Sequence, residues 1–457
     1  MRRSLILVLP LVFFPVALRG ETSRAARVPL DDRGRVDACE VAARLNEAID
    51  SDVARPAGKL LLRTRGAAGA LTRAFLAKSL GADTPVEITN TALIVRVRDP
   101  RDAASLKLWR DRIAALATAT ASEIERRSLY GMRSRPSYRP NDPSRPTICL
   151  VHGMNSTSGV FKHMFKPLEE AGYGLVVYDF PYNRGLDDTC AEFVDDWRGF
   201  RRGAGERLGW VIVAHSLGAL PARSYVEGSD YAPGEATSLM LIAPVNQGSA
   251  LAGAQTLMQY LQTARALEGD GGASKAFDGA EGGGGTVARP SSTQALAKLG
   301  DGLGEAAGDI APGSAFLTRL NARPRRSGVR YHILAGDAGF LSADGRRRIE
   351  ERMALASGAG GLFGGVARAV AGDLAARLDD LTAGRGDGCV AVARTRLAGV
   401  DDFEVVHANH LELIRAPLLY PDPGPVASMP FLLKRLAIDA PVRPAPAASM
   451  PTPRPRD

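Results

Sequence analysis

The chain has 457 residues, of which 45% are hydrophobic and 24% are charged, an ordinary globular composition with enough length for one large core plus extensions. The net charge of +8 comes almost wholly from arginine, which fits either a compositional bias or attraction to an anionic membrane or lipid surface. The sequence has neither zinc-ligand spacings nor basic stripes interleaved with aromatic residues, so we expect no metal site, no cofactor and no nucleic-acid partner.

The N-terminus has the pattern of an export signal. Arg2 and Arg3 precede an apolar run from Leu5 to Leu18, which is too short for a comfortable membrane span. Residues 1–20 therefore predict a signal peptide or, because bulky Leu18 makes a poor cleavage site, an N-terminal anchor. We expect a secreted or periplasmic, cell-envelope protein, either free or membrane-anchored. Four cysteines fit that compartment without fixing a disulfide pattern, namely Cys39, Cys149, Cys190 and Cys389.

A linker and a small extension follow the export signal. Residues 21–38 are polar and basic and predict a loose linker, whereas residues 39–140 predict a small α/β extension. Helical periodicity in the extension predicts three helices, at Val41–Ile49, Leu71–Leu80 and Ala103–Ile124. The run Ala92–Val97 predicts one strand. A segment rich in Pro, Arg and Ser, residues 131–146, indicates the boundary to the next domain.

Short apolar runs that alternate with helix-compatible stretches predict a catalytic domain over residues 141–437. The runs are Thr147–Val151, Leu175–Tyr178, Trp210–Val213, Leu239–Ile242 and Tyr331–Leu334. Continuous apolar strands between helices predict an α/β fold, with a mostly parallel central sheet and helices on both faces. In such a sheet we expect the chemistry at the carboxyl ends of the strands.

Two insertions interrupt this domain. Residues 250–320 contain the helix-like Leu251–Leu267 and a glycine-rich stretch, and residues 340–384 contain glycine-rich 361–365 followed by an amphipathic helix. The sequence leaves two interpretations of each insertion open, a lid beside the site or a solvated surface excursion. Residues 438–457 are rich in proline and predict a disordered tail.

The strongest chemical signal surrounds Ser216, where the apolar strand that begins at Trp210 runs into the sequence AHSLG. Small residues stand two before and two after the serine, as the sharp strand-to-helix turn of a nucleophile elbow requires. Such a turn exposes the serine hydroxyl above the sheet at a helix N-terminus, which favours developing negative charge. The stretch resembles the elbow of α/β-hydrolase lipases and esterases, with Ala214 in place of the usual first glycine.

An acyl-transfer serine also needs an oxyanion hole. The sequence VHGMN follows the first core strand, where these hydrolases carry a similar loop. The resemblance implies that the backbone N–H groups of Met154 and Leu217 bind the oxyanion, and that His152 shapes the loop and is not the base. It covers about residues 147–250 and 330–420 and implies the α/β-hydrolase fold for this domain.

The base and the acid follow from the chain order serine, acid, histidine that this fold uses. Both His407 and His410 come late enough, and lipase-like chains carry the base directly before a Leu-x-Leu helix opening, which selects His410 and leaves His407 as the alternative base. The segment at Asp387 resembles the lipase Asp-Gly-x-Val segment, so Asp387 is the predicted acid. Asp337, just after the strand Tyr331–Leu334, is the alternative acid.

Three other titratable residues are predicted to have no catalytic part. His332 lies inside an apolar strand and is expected to be a satisfied core or rim histidine. Asp401 and Asp402 are expected to be solvated loop charges.

Together these features predict a serine hydrolase that cleaves carboxylic esters through an acyl-enzyme. The resemblance to lipases favours lipid or other hydrophobic acyl esters as substrates, an analogy at the level of the fold. The same triad would also serve an acyltransferase or a thioesterase. A non-enzymatic alternative is an envelope binding protein that has a hydrolase fold but no catalytic activity. The sequence argues against it, because the predicted nucleophile, acid, base and oxyanion loop all occur in the right order.

Overall fold

The computed structural model describes residues 23–81, 84–251, 305–358, 376–415 and 426–443. These residues fall into two compact units, which divide after Ala121. The predicted export signal, most of the first insertion, the glycine-rich part of the second insertion and the tail beyond residue 443 lie outside the described residues. Within the described ranges, every helix is too short or too polar to cross a bilayer.

The first unit is a small α/β structure with a three-stranded and a two-stranded antiparallel sheet. Its strands are β1 (Ser23–Pro29), β2 (Arg35–Asp37), β3 (Leu61–Arg63), β4 (Val86–Ile88) and β5 (Ala92–Arg98), and its helices are α1 (Ala38–Ala48), α2 (Gly66–Leu80) and α3 (Ala103–Arg127), which continues past the division between the units. Strand β5 pairs with β1 on one side and β4 on the other, and β2 pairs with β3. The three helices and the strand predicted for this region are therefore present.

The prediction of a loose linker over residues 21–38 is wrong, because this stretch contains β1 and β2. In β1 only two apolar side chains, Ala26 and Val28, are buried, while the five exposed positions include Arg24 and Arg27. Such a weak alternating pattern becomes a strand because its backbone pairs antiparallel with the distant β5, where Val28 faces Leu93.

The second unit is built on a seven-stranded sheet in the order β12-β11-β10-β9-β7-β8-β6. The strands are β6 (Gly131–Ser134), β7 (Thr147–Val151), β8 (Gly174–Asp179), β9 (Trp210–His215), β10 (Ala236–Ile242), β11 (Arg330–Gly336) and β12 (Phe403–Val406). All neighbours are parallel except β6, which runs antiparallel to β8. The predicted mostly parallel sheet is confirmed. Every residue of β7, β8 and β9 is buried, which explains their uninterrupted apolar runs.

Strand β6 corrects the predicted domain start at residue 141. It lies within the segment predicted as a boundary, yet it forms the edge of the second unit's sheet. Its residues, GMRS, are half-buried or exposed and carry no apolar run, so sequence periodicity gave no sign of a strand. An edge strand pairs with a neighbouring strand on one side only, and it therefore needs little hydrophobic patterning.

Helices and short turns connect the strands of the second unit. The helices are α4 (Lys162–Glu170), α5 (Leu186–Ala204), α6 (Ala219–Val226), α7 (Glu305–Asp309), α8 (Ala315–Asn321), α9 (Ala343–Gly358), α10 (Val392–Thr395) and α11 (Met429–Asp439), with single 3₁₀ turns at Ser158–Phe161 and Ser216–Gly218. Since α11 continues to Asp439, the predicted tail that starts at residue 438 overlaps the end of a helix, whose buried residues include Leu432 and Leu436.

All four cysteines carry free thiols. Cys39, Cys149 and Cys190 are buried and Cys389 is half-buried. Burial raises the pKa of the Cys39 thiol to about 11 and those of Cys190 and Cys389 to about 12. At neutral pH these thiols are therefore protonated and pack as small apolar groups.

Candidate active site

The chain turns sharply at Ser216, between the end of β9 and the start of α6. Ser216 has a φ of +54°, in the left-handed region that residues with a side chain seldom adopt. Two residues later, a Cβ on Gly218 would lie 2.2 Å from the carbonyl oxygen of His152 and 2.8 Å from that of Val151. Only glycine fits there, so the small residue of the predicted elbow is required by a close backbone approach.

The loop after β7 lies directly against this turn. A Cβ on Gly153 would come within 2.8 Å of the Ser216 Cβ, so the main chain of the predicted oxyanion loop passes beside the serine. Within the described part of the chain the Met154 N–H donates no hydrogen bond. The Leu217 N–H follows Ser216 at the N-terminal end of the turn into α6. The sequence resemblance assigns both N–H groups to an oxyanion hole, which stays a prediction.

His152 is bound within the loop. Its Nδ1 lies 2.8 Å from the Gly153 carbonyl oxygen, and its Nε2 accepts a hydrogen bond of 3.2 Å from the Phe180 N–H. The ring stacks on the Phe180 ring with 4.4 Å between centroids. Burial lowers the pKa of His152, so it is a neutral group that shapes the loop.

Asp387 and His410 form a buried pair. His410 Nδ1 lies 2.7 Å from Asp387 Oδ2, and the His410 N–H donates to the Asp387 carbonyl oxygen at 3.0 Å. The other carboxylate oxygen, Oδ1, accepts hydrogen bonds of 2.9 Å from the N–H groups of Cys389 and Val390. Asp387 is fully buried and His410 is 7% exposed. Both carboxylate oxygens of Asp387 are therefore hydrogen-bonded, and the carboxylate holds the Nδ1 side of the imidazole in one orientation.

The two alternative residues pair with each other. His407 Nδ1 lies 2.8 Å from Asp337 Oδ1, and the His407 side chain is 78% exposed. The structure thus divides the four predicted acid and base residues into a buried pair, Asp387–His410, and an exposed pair, Asp337–His407. Each pair has the chain order acid then histidine.

The buried pair lies next to the serine turn. His215, the residue before Ser216, places its Nε2 3.1 Å from the His410 carbonyl oxygen, and the two imidazole rings are 4.6 Å apart. No hydrogen bond joins the Ser216 hydroxyl to His410 or to any other described residue. The structure therefore brings Ser216, Gly153 and His410 together through His215, with the serine hydroxyl not bonded to the imidazole.

Comparison with known proteins supports the fold in the region of the serine turn. A family model described as "Serine aminopeptidase, S33" matches residues 142–268, which include β7 to β10 and Ser216. Together with the strand order of the sheet, this match shows that the second unit has the α/β-hydrolase fold.

Solved structures with this fold resemble the chain at low identity. The Bacillus licheniformis lipase BlEst2 in propeptide form is 19% identical over 66% of this chain and 53% of that one, about half its length, with a TM-score of 0.39. The metagenomic carboxyl esterase MGS0156 is 18% identical over 67% of this chain and 78% of that one, with a TM-score of 0.35. The Paleococcus ferrophilus monoacylglycerol lipase is 14% identical over 68% of this chain and 98% of that one, with a TM-score of 0.33. No curated protein sequence matches the chain.

Buried polar groups that the sequence does not reveal lie on and directly after α6, the helix that follows Ser216. Arg223 on α6 and Glu227, the residue that follows this helix, have fully buried side chains and pair at 3.1 Å, and Arg223 also donates to Asn246 Oδ1 at 3.0 Å. Arg325 adds a second guanidinium to Glu227 at 2.6 Å. The i,i+4 spacing of Arg223 and Glu227 is visible in sequence, but it is typical of a solvated helix face and gives no sign of burial.

A second missed carboxylate fixes the loop that carries Asp387. Asp380 is fully buried and accepts hydrogen bonds of 2.8 Å from the N–H groups of Ala250 and Ala391. The Arg394 guanidinium also contacts it. These bonds tie the end of the second insertion to the segment after β10. Asp380 directly follows Asp379 in the second insertion, and this pair carries no sequence pattern that would have identified a buried carboxylate.

The expectation for His332 agrees with its contacts, whereas that for Asp402 is wrong. The two ring nitrogens of His332 lie 2.5 Å from Asp402 and 2.6 Å from Asp439. Arg435 also pairs with Asp402 and, together with His332, lowers the pKa of that carboxyl to about 2. Asp402 is therefore part of an ion-pair network, because α11 folds back and brings Asp439 and Arg435 beside the start of β11 and β12.

Proposed function

We propose that this α/β-hydrolase is a serine hydrolase that cleaves carboxylic esters, with Ser216 as nucleophile, His410 as base and Asp387 as acid. The observation that carries the proposal is the buried Asp387–His410 bond of 2.7 Å beside a serine in the left-handed turn that ends β9. The exposed Asp337–His407 pair is the weaker candidate, because water competes for the bonds of a side chain that is 78% exposed.

The proposed reaction proceeds through an acyl-enzyme. His410 Nε2 takes the Ser216 proton as Oγ attacks the ester carbonyl, and Asp387 holds the Nδ1–H and stabilises the imidazolium. The backbone N–H groups of Met154 and Leu217 donate to the oxyanion. His410 then gives its proton to the leaving alcohol, and water, activated by the same imidazole, releases the acid. This sequence requires the Ser216–His410 hydrogen bond to form with substrate, as such bonds often tighten only in the complex.

Exposed apolar side chains beside the buried pair support a hydrophobic acyl group as substrate. Leu411, next to His410, is 41% exposed. The Phe340 ring is 73% exposed and lies against Gly388, where a Cβ would come within 2.2 Å of it. We further propose, from the N-terminal pattern of residues 1–20, that the protein acts outside the cytoplasm, either secreted or in the cell envelope.

The test combines covalent labelling with turnover. Purified protein is expected to react with a fluorophosphonate probe and to hydrolyse p-nitrophenyl acyl esters, with the chain-length series separating short-chain esterase from lipase activity. Ser216→Ala is expected to abolish labelling and to lower kcat by about 10⁶-fold. Ser238→Ala is the matched control, because the Ser238 hydroxyl is buried in β10 and has no hydrogen-bond partner among the described residues.

Other outcomes separate the alternatives. Product transfer to an added alcohol or thiol in preference to water would favour an acyltransferase, and faster turnover of acyl thioesters would favour a thioesterase. Cleavage of aminoacyl p-nitroanilides in place of esters would contradict the proposed substrate class. A well-folded protein that neither reacts with the probe nor turns over any ester would contradict the hydrolase proposal and favour a binding protein.

A further inference from the structure

One buried side chain contacts three parts of the candidate site at once. His215 is the last residue of β9, directly before Ser216, and it is only 3% exposed. Its Nε2 lies 3.1 Å from the His410 carbonyl oxygen. Its Nδ1 lies 3.1 Å from the position of a Cβ on Gly153, in the predicted oxyanion loop. The imidazole therefore fills the space between the nucleophile, the base and that loop.

The contacts fix the protonation state of this imidazole. Only Nε2 has an acceptor, the His410 carbonyl oxygen, so Nε2 carries the proton and donates it there. Nδ1 is buried and has no hydrogen-bond partner among the described residues. A second proton on Nδ1 would point at the Gly153 main chain with nothing to accept it. Burial and the neighbouring His410 and His152 lower the pKa of His215 well below its ordinary value, so the ring is neutral.

We propose that His215 is a positioning residue for the reaction of Ser216, and this inference rests on the proposed function. Its Nε2–H holds the main chain of His410 beside the serine turn, and its Nδ1 edge packs on Gly153 and sets the spacing of the oxyanion loop. His410 comes from a segment 195 residues away along the chain, so this bond joins two distant segments at the reacting centre. A neutral ring also adds no repulsion when His410 becomes an imidazolium 4.6 Å away.

Substitutions separate the hydrogen bond from the volume of the ring. His215→Phe keeps an aromatic ring but removes the Nε2 donor, so the His410 carbonyl oxygen loses its partner and the base loses its anchor. We expect kcat for p-nitrophenyl esters and the rate of fluorophosphonate labelling to fall on the order of 10²-fold, with KM nearly unchanged. His215→Gln restores an N–H donor and is expected to recover part of kcat. His163→Phe, at a half-buried histidine on α4, is the matched control and is expected to leave kcat unchanged.

Thermal unfolding and ring-nitrogen NMR complete the test. A His215→Phe variant with a lower Tm but the wild-type kcat would show a structural role only and would overturn the proposal, as would a His215→Gln variant that recovers nothing. If the His215→Phe variant does not fold, NMR of the His215 ring nitrogens in the wild-type protein tests the proposal instead. A neutral Nε2–H tautomer that does not titrate between about pH 5 and 9 is expected, and an imidazolium in that range would overturn the proposal. Wild-type protein that neither labels nor turns over would instead refute the proposed function itself.

Discussion

Exchanging the two candidate acids for asparagine tests which histidine serves Ser216. Asp387 Oδ1 accepts two N–H groups, those of Cys389 and Val390, at 2.9 Å. In Asp387→Asn the amide oxygen must remain on these donors, because an NH₂ group cannot accept their hydrogen bonds. The NH₂ group then faces His410 Nδ1, which becomes an acceptor. The ring proton moves to Nε2, so the base can no longer take the serine proton.

This tautomer change sets the size of the effect. For a triad, the same exchange lowers kcat by about 10⁴-fold while the fold is kept, and we expect that loss for Asp387→Asn. Asp337→Asn removes a partner from His407, whose side chain is 78% exposed, so the lost interaction is within about 1 kcal/mol and the loss of kcat is below about fivefold. Kinetics with p-nitrophenyl butyrate and Tm values for both variants check this. A large loss for Asp337→Asn with a small one for Asp387→Asn would refute the assignment of the acid and base.

Three further changes follow from contacts of single residues. Gly153→Ala is expected to lower kcat by on the order of 10²-fold with little change in Tm, because its Cβ would lie 2.8 Å from the Ser216 Cβ; wild-type kinetics would show that the loop can move away freely. Glu227→Gln leaves the buried Arg223 cation without its carboxylate and is expected to lower the free energy of unfolding by about 3–5 kcal/mol in urea titrations, whereas a loss below about 1 kcal/mol would contradict the role of this pair. Asp402→Asn is expected to cost about 1 kcal/mol at pH 7, after allowance for its 40% exposed side chain. Since the folded pKa of about 2 lies below the ordinary 3.8, this stabilisation is present above about pH 4 and is lost as the pH falls through 2. The Tm difference from wild type should therefore vanish only below about pH 2, and a difference that persists there would contradict the linkage.

The central parallel strands β7, β8 and β9 were predictable because they are buried on both faces. A strand such as β8, in which every residue is buried, must be apolar throughout, and this leaves a signal that needs no partner to be recognised. Strands β1 and β6 carry no such signal. The polarity of β1 reflects its exposed arginines. Its two buried residues, Ala26 and Val28, indicate a strand only once the pairing of β1 with β5 is known.

The candidate site, like the fold, was predictable from the sequence only in part. The turn at Ser216 and the Asp387–His410 pair follow from motifs in local sequence, and the structure places them together. The arrangement of the alternative pair, Asp337–His407, does not follow from sequence, because the order acid then histidine holds for both pairs and only the folded chain decides which histidine is buried. The sequence does not reveal that the carboxylates Glu227 and Asp380 are buried. Arg223 is only four residues from Glu227, a spacing typical of a solvated helix face, and Ala250 is 130 residues from Asp380.

The glycines of the site connect motif and geometry. At Gly153 a Cβ would approach Ser216, at Gly218 it would approach the His152 carbonyl oxygen, and at Gly336 it would lie 2.4 Å from the Ala408 carbonyl oxygen and 3.0 Å from the Asp387 Cβ. Each of these glycines marks a point where the main chain of one loop lies against the residues of another. These three glycines therefore mark close contacts between distant segments, in which the main chain lies against Ser216, His152 or Asp387 and leaves no room for a side chain.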